Sequence, residues 1–128
     1  MFAARLGLAE EARHDLEFRT RPETILRVGL DKKVKRYFRF PAFLGSPYDY
    51  CPDYDGPGTM ASTLQEILLQ PGPNGKILLL PAWPKEWDVN FKLRAPGNTT
   101  VEGVYRAGKL EHLAVTPESR RKDVVIHQ

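Results

Sequence analysis

A single cysteine, Cys51, stands in this chain of 128 residues, which excludes an intrachain disulfide framework and a cysteine-rich zinc site. Histidines are few and scattered, at His14, His112 and His127. None has a partner at metal-ligand spacing, so neither a metal nor a cofactor is expected. No apolar run approaches the roughly 20 residues that a membrane span needs. Charge of one sign is lacking too: 19 basic residues against 16 acidic leave a net of +3, thin grounds for a polyanionic partner such as nucleic acid. The sequence has no Gly-rich phosphate loop, serine elbow or cysteine nucleophile motif. Its start, MFAARLGLAEEARHD, meets acids by Glu10 without an extended apolar stretch. No signal peptide is therefore expected, and the compartment stays open, export of a larger parent protein included.

Proline and glycine, by contrast, are plentiful, 11 and 10 respectively, and punctuate the chain with turns. Residues 2–6 read as the end of a helix stopped at Gly7. A second helix is expected over Leu8–Arg19, with Leu8, Ala12, Leu16 and Arg19 at helical spacing and Pro22 bounding it. From Glu23 to Phe40 the pattern leaves a short helix open. Residues 40–58 carry four prolines and three glycines and read as a long irregular loop. Thr59 is then the expected N-cap of a helix whose apolar face holds Met60, Ala61, Leu64, Ile67 and Leu68, with Ser62 and Glu66 nearly opposite. After 71–75 (Pro-Gly-Pro-Asn-Gly) short strands are expected at Lys76–Leu80, Asn90–Arg94, Thr99–Tyr105, Lys109–Thr116 and Asp123–His127, with Ala107-Gly108 as a hairpin connection. The expected fold class is α+β. A helical region spans 1–70 with a site-like loop at 45–58, a linker spans 71–75, and a small antiparallel, sandwich-like β-domain spans 76–128.

Between Tyr48 and Asp55 the loop sets Tyr48, Tyr50 and Tyr54 among Asp49, Asp53 and Asp55. Sugars ask for this mixture, because an aromatic face packs on the C–H face of a pyranose while carboxylates accept hydrogen bonds from its hydroxyls. The same composition fits a surface loop whose aspartates cap turns. A calcium loop starting at Asp53 fails, since its fifth position is Pro57 and its twelfth is Leu64. Asp55, just before a helix, would stay ionised beside the helix dipole, which suits a base more than an acid. Glu66, opposite the apolar face, reads as a solvated surface acid. The run Asp31–Arg39 reads as a solvated face, with phosphate contact or a basic targeting signal as its alternatives. Trp83 and Trp87 offer either stacking surface or interdomain packing.

Three segments, in order, resemble the C-terminal part of glycoside hydrolase family 95 and its distant six-hairpin relatives. Asp55-Gly56, followed by Glu66-Ile67-Leu68-Leu69-Gln70, is similar to that family's Asp-Gly-Asn-Phe-Gly-Gly running into Glu-Met-Leu-Leu-Gln. Leu79-Leu80-Pro81-Ala82-Trp83-Pro84-Lys85-Glu86-Trp87 is similar to its Leu-Pro-Ala-Leu-Pro-x-x-Trp. Leu93-Arg94-Ala95-Pro96 and Tyr105-Arg106-Ala107-Gly108-Lys109-Leu110 continue the match. Pro57 departs from the family's Asn, and Gly58-Thr59 from its Phe-Gly.

The resemblance implies the last helices of an (α/α)6 toroid followed by a small β-domain, and an inverting, fucosidase-like hydrolase acting on a carbohydrate substrate. Asp55 matches the aspartate that polarises the water-holding asparagines; Asp53 is the alternative base. Tyr48, Asp49, Tyr50 and Tyr54 are the expected sugar contacts. Twelve helices of ten to fourteen residues exceed this chain's length. The expectation is therefore a C-terminal fragment, inactive alone, that meets its missing N-terminal part or self-associates through exposed helix faces. The competing expectation is a non-catalytic carbohydrate- or protein-binding module.

Overall fold

A computed structural model describes residues 2–20 and 55–127. The expectations for Tyr48, Asp49, Tyr50, Asp53 and Tyr54, for the 23–40 segment and for the basic run at 31–39 lie outside the described residues.

Helix α1 (Phe2–Arg5) ends at Gly7, whose φ of 72° supplies the left-handed turn expected there, and α2 (Ala9–Thr20) follows. Ala12 and Leu16 of α2 are buried, whereas Leu8 precedes the helix and stays exposed. Helix α3 (Asp55–Leu68) starts four residues earlier than the Thr59 cap proposed from sequence. The reason is that Pro57 falls in the first turn, where a missing N–H costs nothing and the fixed φ suits a helix. Its buried stripe also differs from the expected face. Thr63 and Ile67 are buried and Met60 partly so, while Ala61 and Leu64 are open to solvent. Thr63 can be buried because its hydroxyl donates to the Thr59 carbonyl one turn back, at 2.8 Å.

The helices lead into two three-stranded sheets. The first has order β1 (Leu69–Pro71), β2 (Ile77–Leu79), β6 (Val124–Ile126); the second is β3 (Val89–Ala95), β4 (Thr99–Arg106), β5 (Lys109–Thr116). The fold is thus α+β with a small antiparallel sheet, β3–β5. Strand β6 departs from the antiparallel expectation by running parallel to β2, with Ile77 opposite Val124.

Segment 71–75, expected as a linker, connects β1 to β2 in an antiparallel hairpin. Pro71 ends an edge strand, where a lost donor is tolerated. One buried cluster runs across this point, joining Ala12, Leu16 and Ile67 on the helices to Ile77, Leu79 and Val101 on the strands. Arg120 fastens the far side: Nη2 donates to the Gly75 carbonyl at 2.9 Å, Nε to Thr99 Oγ1 at 3.1 Å and Nη1 to Asp123 Oδ2 at 2.7 Å. That one planar fork ties the β1–β2 turn and the turn before β6 to the start of β4.

Within the second sheet, β4 buries Thr99, Val101, Gly103 and Tyr105 in strict alternation. Ala107 and Gly108, both at positive φ, make its two-residue turn into β5. The β4–β5 register then shifts between Val104 and Tyr105, which pair with His112 and Leu110 and leave Glu111 without a partner. That bulge lets Leu110 and Leu113, an odd number of residues apart, both pack on the core. Gly103 is required for a different reason. A Cβ there would lie 2.6 Å from Phe91 Cζ and 2.8 Å from the His112 carbonyl oxygen.

Gly103→Ala is accordingly expected to destabilise the protein by about 1–3 kcal/mol through overpacking. Gly58→Ala, with nothing within 4 Å of the new methyl, should be neutral or stabilise by up to about 1 kcal/mol. Urea denaturation of the two variants beside the parent checks both signs.

Candidate functional site

Asp55 is the first residue of α3, so the backbone sets it at one end of a 14-residue helix, about 20 Å from the other end. It is the only proposed site residue that falls within the described segments.

The other end of α3 is fixed in place by three sets of bonds. Arg5 donates from Nη2 and Nε to the two oxygens of Glu66, at 2.6 and 3.1 Å. Glu66 is therefore not the free surface acid expected from its place on the helix wheel: its partner comes from 61 positions earlier in the chain, which no local pattern reports. The Arg5 hydrogen bonds hold the Glu66 carboxyl below its ordinary range, with Coulombic attraction adding to them and partial burial opposing. Buried Gln70 donates 2.7 Å bonds from Nε2 to the carbonyls of Ala4 and Glu66. Finally the amides of Leu80 and Ala82 donate to Leu68 and Ile67 carbonyls, at 2.7 and 3.2 Å, occupying acceptors that a helix end leaves without intrahelical partners.

These last bonds draw the segment Leu79–Trp87 against the helices. Leu80 adopts φ 61°, an uncommon conformation for a bulky residue and a stored strain. The two tryptophans lie edge to face with ring centroids 5.7 Å apart, and Trp83 Nε1 donates to the Trp87 carbonyl at 2.8 Å. Trp83 is buried and Trp87 half-buried, so the pair forms a packed junction between helices and sheets.

Beside this junction a cleft of about 330 Å³ opens between the α1–α2 turn and the strands, lined by residues that include Glu10, Leu80, Trp83, Lys85, Glu86 and Tyr105. Sequence reading missed it. Tyr105 carried a signal as an inward position of an alternating strand, and Trp83 as stacking surface; the run 80–86 meets Glu10, Tyr105 and His127 only in the folded chain. Among the described residues no group of three His, Cys, Asp or Glu side chains gathers as a metal site, and no helix there is long and apolar enough to cross a membrane.

The Arg5–Glu66 bridge gives a pH-dependent test. Because the folded carboxyl is depressed, its stabilisation is present above the unfolded value of about 4.3 and is lost as pH falls through the folded value. Glu66→Gln should therefore lower the melting temperature near neutral pH. The gap to the parent should narrow as pH falls below that unfolded value and the carboxyl becomes protonated. With side chains 20% and 63% exposed, the effect should be small, as for other solvated pairs. Parallel melts across this range measure it.

The chain matches no protein-family model, no curated protein and no solved structure.

Proposed function

We propose that this chain forms the C-terminal part of a glycoside-hydrolysing enzyme, in which a helical toroid precedes the β-domain and Asp55 activates the attacking water. The observation that supports it best is the exposed apolar surface of the helices among the described residues. Phe2, Leu6, Leu8, Phe18 and Leu64 are all exposed, where the neighbouring helices of a toroid, or a second copy of the chain, would cover them. The helices-then-sheets order agrees with the expected architecture, as does the passage of α3 straight into β1.

The chemistry follows from inversion. One group protonates the leaving oxygen and a second takes a proton from water on the opposite face of the sugar, about 6.5–9.5 Å away. Residues 49–55 supply acids for one side only. The reading assigns the general acid and the water-holding amides to helices outside this chain, with Asp53 as the reserve base and Tyr48, Asp49, Tyr50 and Tyr54 as sugar contacts.

Hydrolysis of nitrophenyl glycosides tests this. The chain alone should show no turnover. In a single polypeptide with the preceding helices, Asp55→Asn should lower turnover by about 10²–10⁴-fold, the usual worth of acid–base catalysis. Robust turnover by the chain alone would overturn the fragment reading. Unchanged rates for Asp55→Asn, Asp53→Asn and Asp49→Asn, each folded by thermal melting, would overturn the catalytic one.

A further inference from the structure

The cleft at the helix–sheet junction contains an unexplained polar group. Tyr105 is 3% exposed, yet among the described residues its hydroxyl finds no hydrogen-bond partner. Buried phenols ordinarily find a partner. Among the described residues the only fully enclosed polar side-chain atom without one is Arg13 Nε, so the Tyr105 hydroxyl keeps its residual access, and the cleft is the space that Tyr105 lines. Burial, and then the nearby negative charge of Glu86, push its pKa up. The group therefore stays a neutral hydroxyl, able both to donate and to accept.

The rest of the lining narrows the ligand. Glu10 and Glu86 bring carboxylates and Lys85 one ammonium. Arg13, on the adjacent face of α2, is already paired with Glu10 and Glu17. An anion would thus meet the Glu86 carboxylate and the Arg13-paired Glu10 beside Lys85 and the His127 ring, with no cluster of cations to favour it, and a metal ion finds no three-ligand group among the described residues. The apolar part consists of Leu80, Pro81, Ala82, Trp83 and Pro84. The Trp83 N–H is occupied by the Trp87 carbonyl, so the indole contributes ring surface and no donor. The volume, about 330 Å³, lies at the small end of the range for ligand pockets. The wall is set by Leu80 at its strained φ of 61°, and strained backbone of this kind gathers at ligand clamps.

We propose that this cleft binds one neutral, hydroxyl-rich ring, a sugar residue, with Tyr105, Glu86, Glu10 and Lys85 meeting its hydroxyls and the Leu80–Pro84 segment meeting its C–H face. No residue of α3 lines this cleft, so Asp55, the first residue of that helix, is not part of it. The site stands whether or not Asp55 is catalytic.

Titration of the ¹⁵N-labelled full chain with glucose, galactose, xylose and lactose tests it by amide shifts. At least one sugar should shift the Trp83 indole N–H and the amides of Leu80, Lys85, Glu86 and Tyr105 saturably, with millimolar affinity. Tyr105→Phe should weaken binding about tenfold, the worth of one hydrogen bond. Glu86→Ala, at an exposed position that leaves the core untouched, should weaken it several-fold and stands in if the tyrosine variant fails to fold. Asp55→Asn should leave it unchanged. Saturable shifts confined to other residues would overturn the proposal, as would no saturable shift with any of the four sugars. So would parental affinity in Glu86→Ala and a folded Tyr105→Phe, or inorganic phosphate displacing the sugar from these same amides. None of these outcomes depends on glycoside turnover.

Discussion

The carbonyls of Ile67 and Leu68 hold the molecule together. They belong to the last turn of α3, where four acceptors face away from the helix and must find partners outside it. Here those partners are the amides of Ala82 and Leu80, from the segment that follows β2. A helix end satisfied by backbone from beyond the next hairpin cannot move independently of that hairpin. Leu80 accepts a left-handed conformation to make its bond, and the position of Trp83 and the wall of the cleft follow from it. Gln70 extends the same constraint to α1 through the Ala4 carbonyl. Its burial is tolerable because its donor is matched twice.

Where pairing is local, the sequence was a good guide. Strands β3 to β5 follow from alternation and from the Ala107-Gly108 turn, and α2 from the spacing of Ala12 and Leu16. The start of α3 was missed because Gly56-Pro57-Gly58 looks like a breaker, although a proline in the first turn is compatible with a helix. Strand β1 was missed because Leu68-Leu69-Gln70 continues an apolar run that a helix and a buried strand share equally. Parallel pairing of β6 with β2, and the Arg5–Glu66 bridge, join residues 47 to 61 positions apart, and nothing local reports such contacts. The candidate sites divide the same way. The Tyr-Asp loop is visible in composition alone, whereas the cleft is created by tertiary convergence and by one strained residue.

Helix α3 gives the molecule two chemically distinct ends. At its start is Asp55, the residue proposed to serve hydrolysis. At its finish the chain turns into the sheets and leaves a cleft of mixed character, with an unpartnered phenol, two carboxylates and an ammonium around an apolar segment. The exposed apolar residues on the helices and the packed tryptophans at the junction play opposite parts. The first are open to solvent and the second pack with the core. Among the described residues, apolar exposure is thus concentrated on the helices, while the strands and the junction carry much of the buried cluster.

Native-state hydrogen exchange most directly tests whether helices and sheets form one unit bound at the α3 end. The amides of Leu80 and Ala82, and those in the last turn of α3, should exchange with the same opening free energy and denaturant dependence as Val101 in the centre of β4, as members of one cooperative unit do. Exchange of Leu80, Ala82 and the α3 amides through a separate, lower-energy opening, with β4 still protected, would contradict the account. It would mean that the helices are docked on the sheets without being bound into their fold.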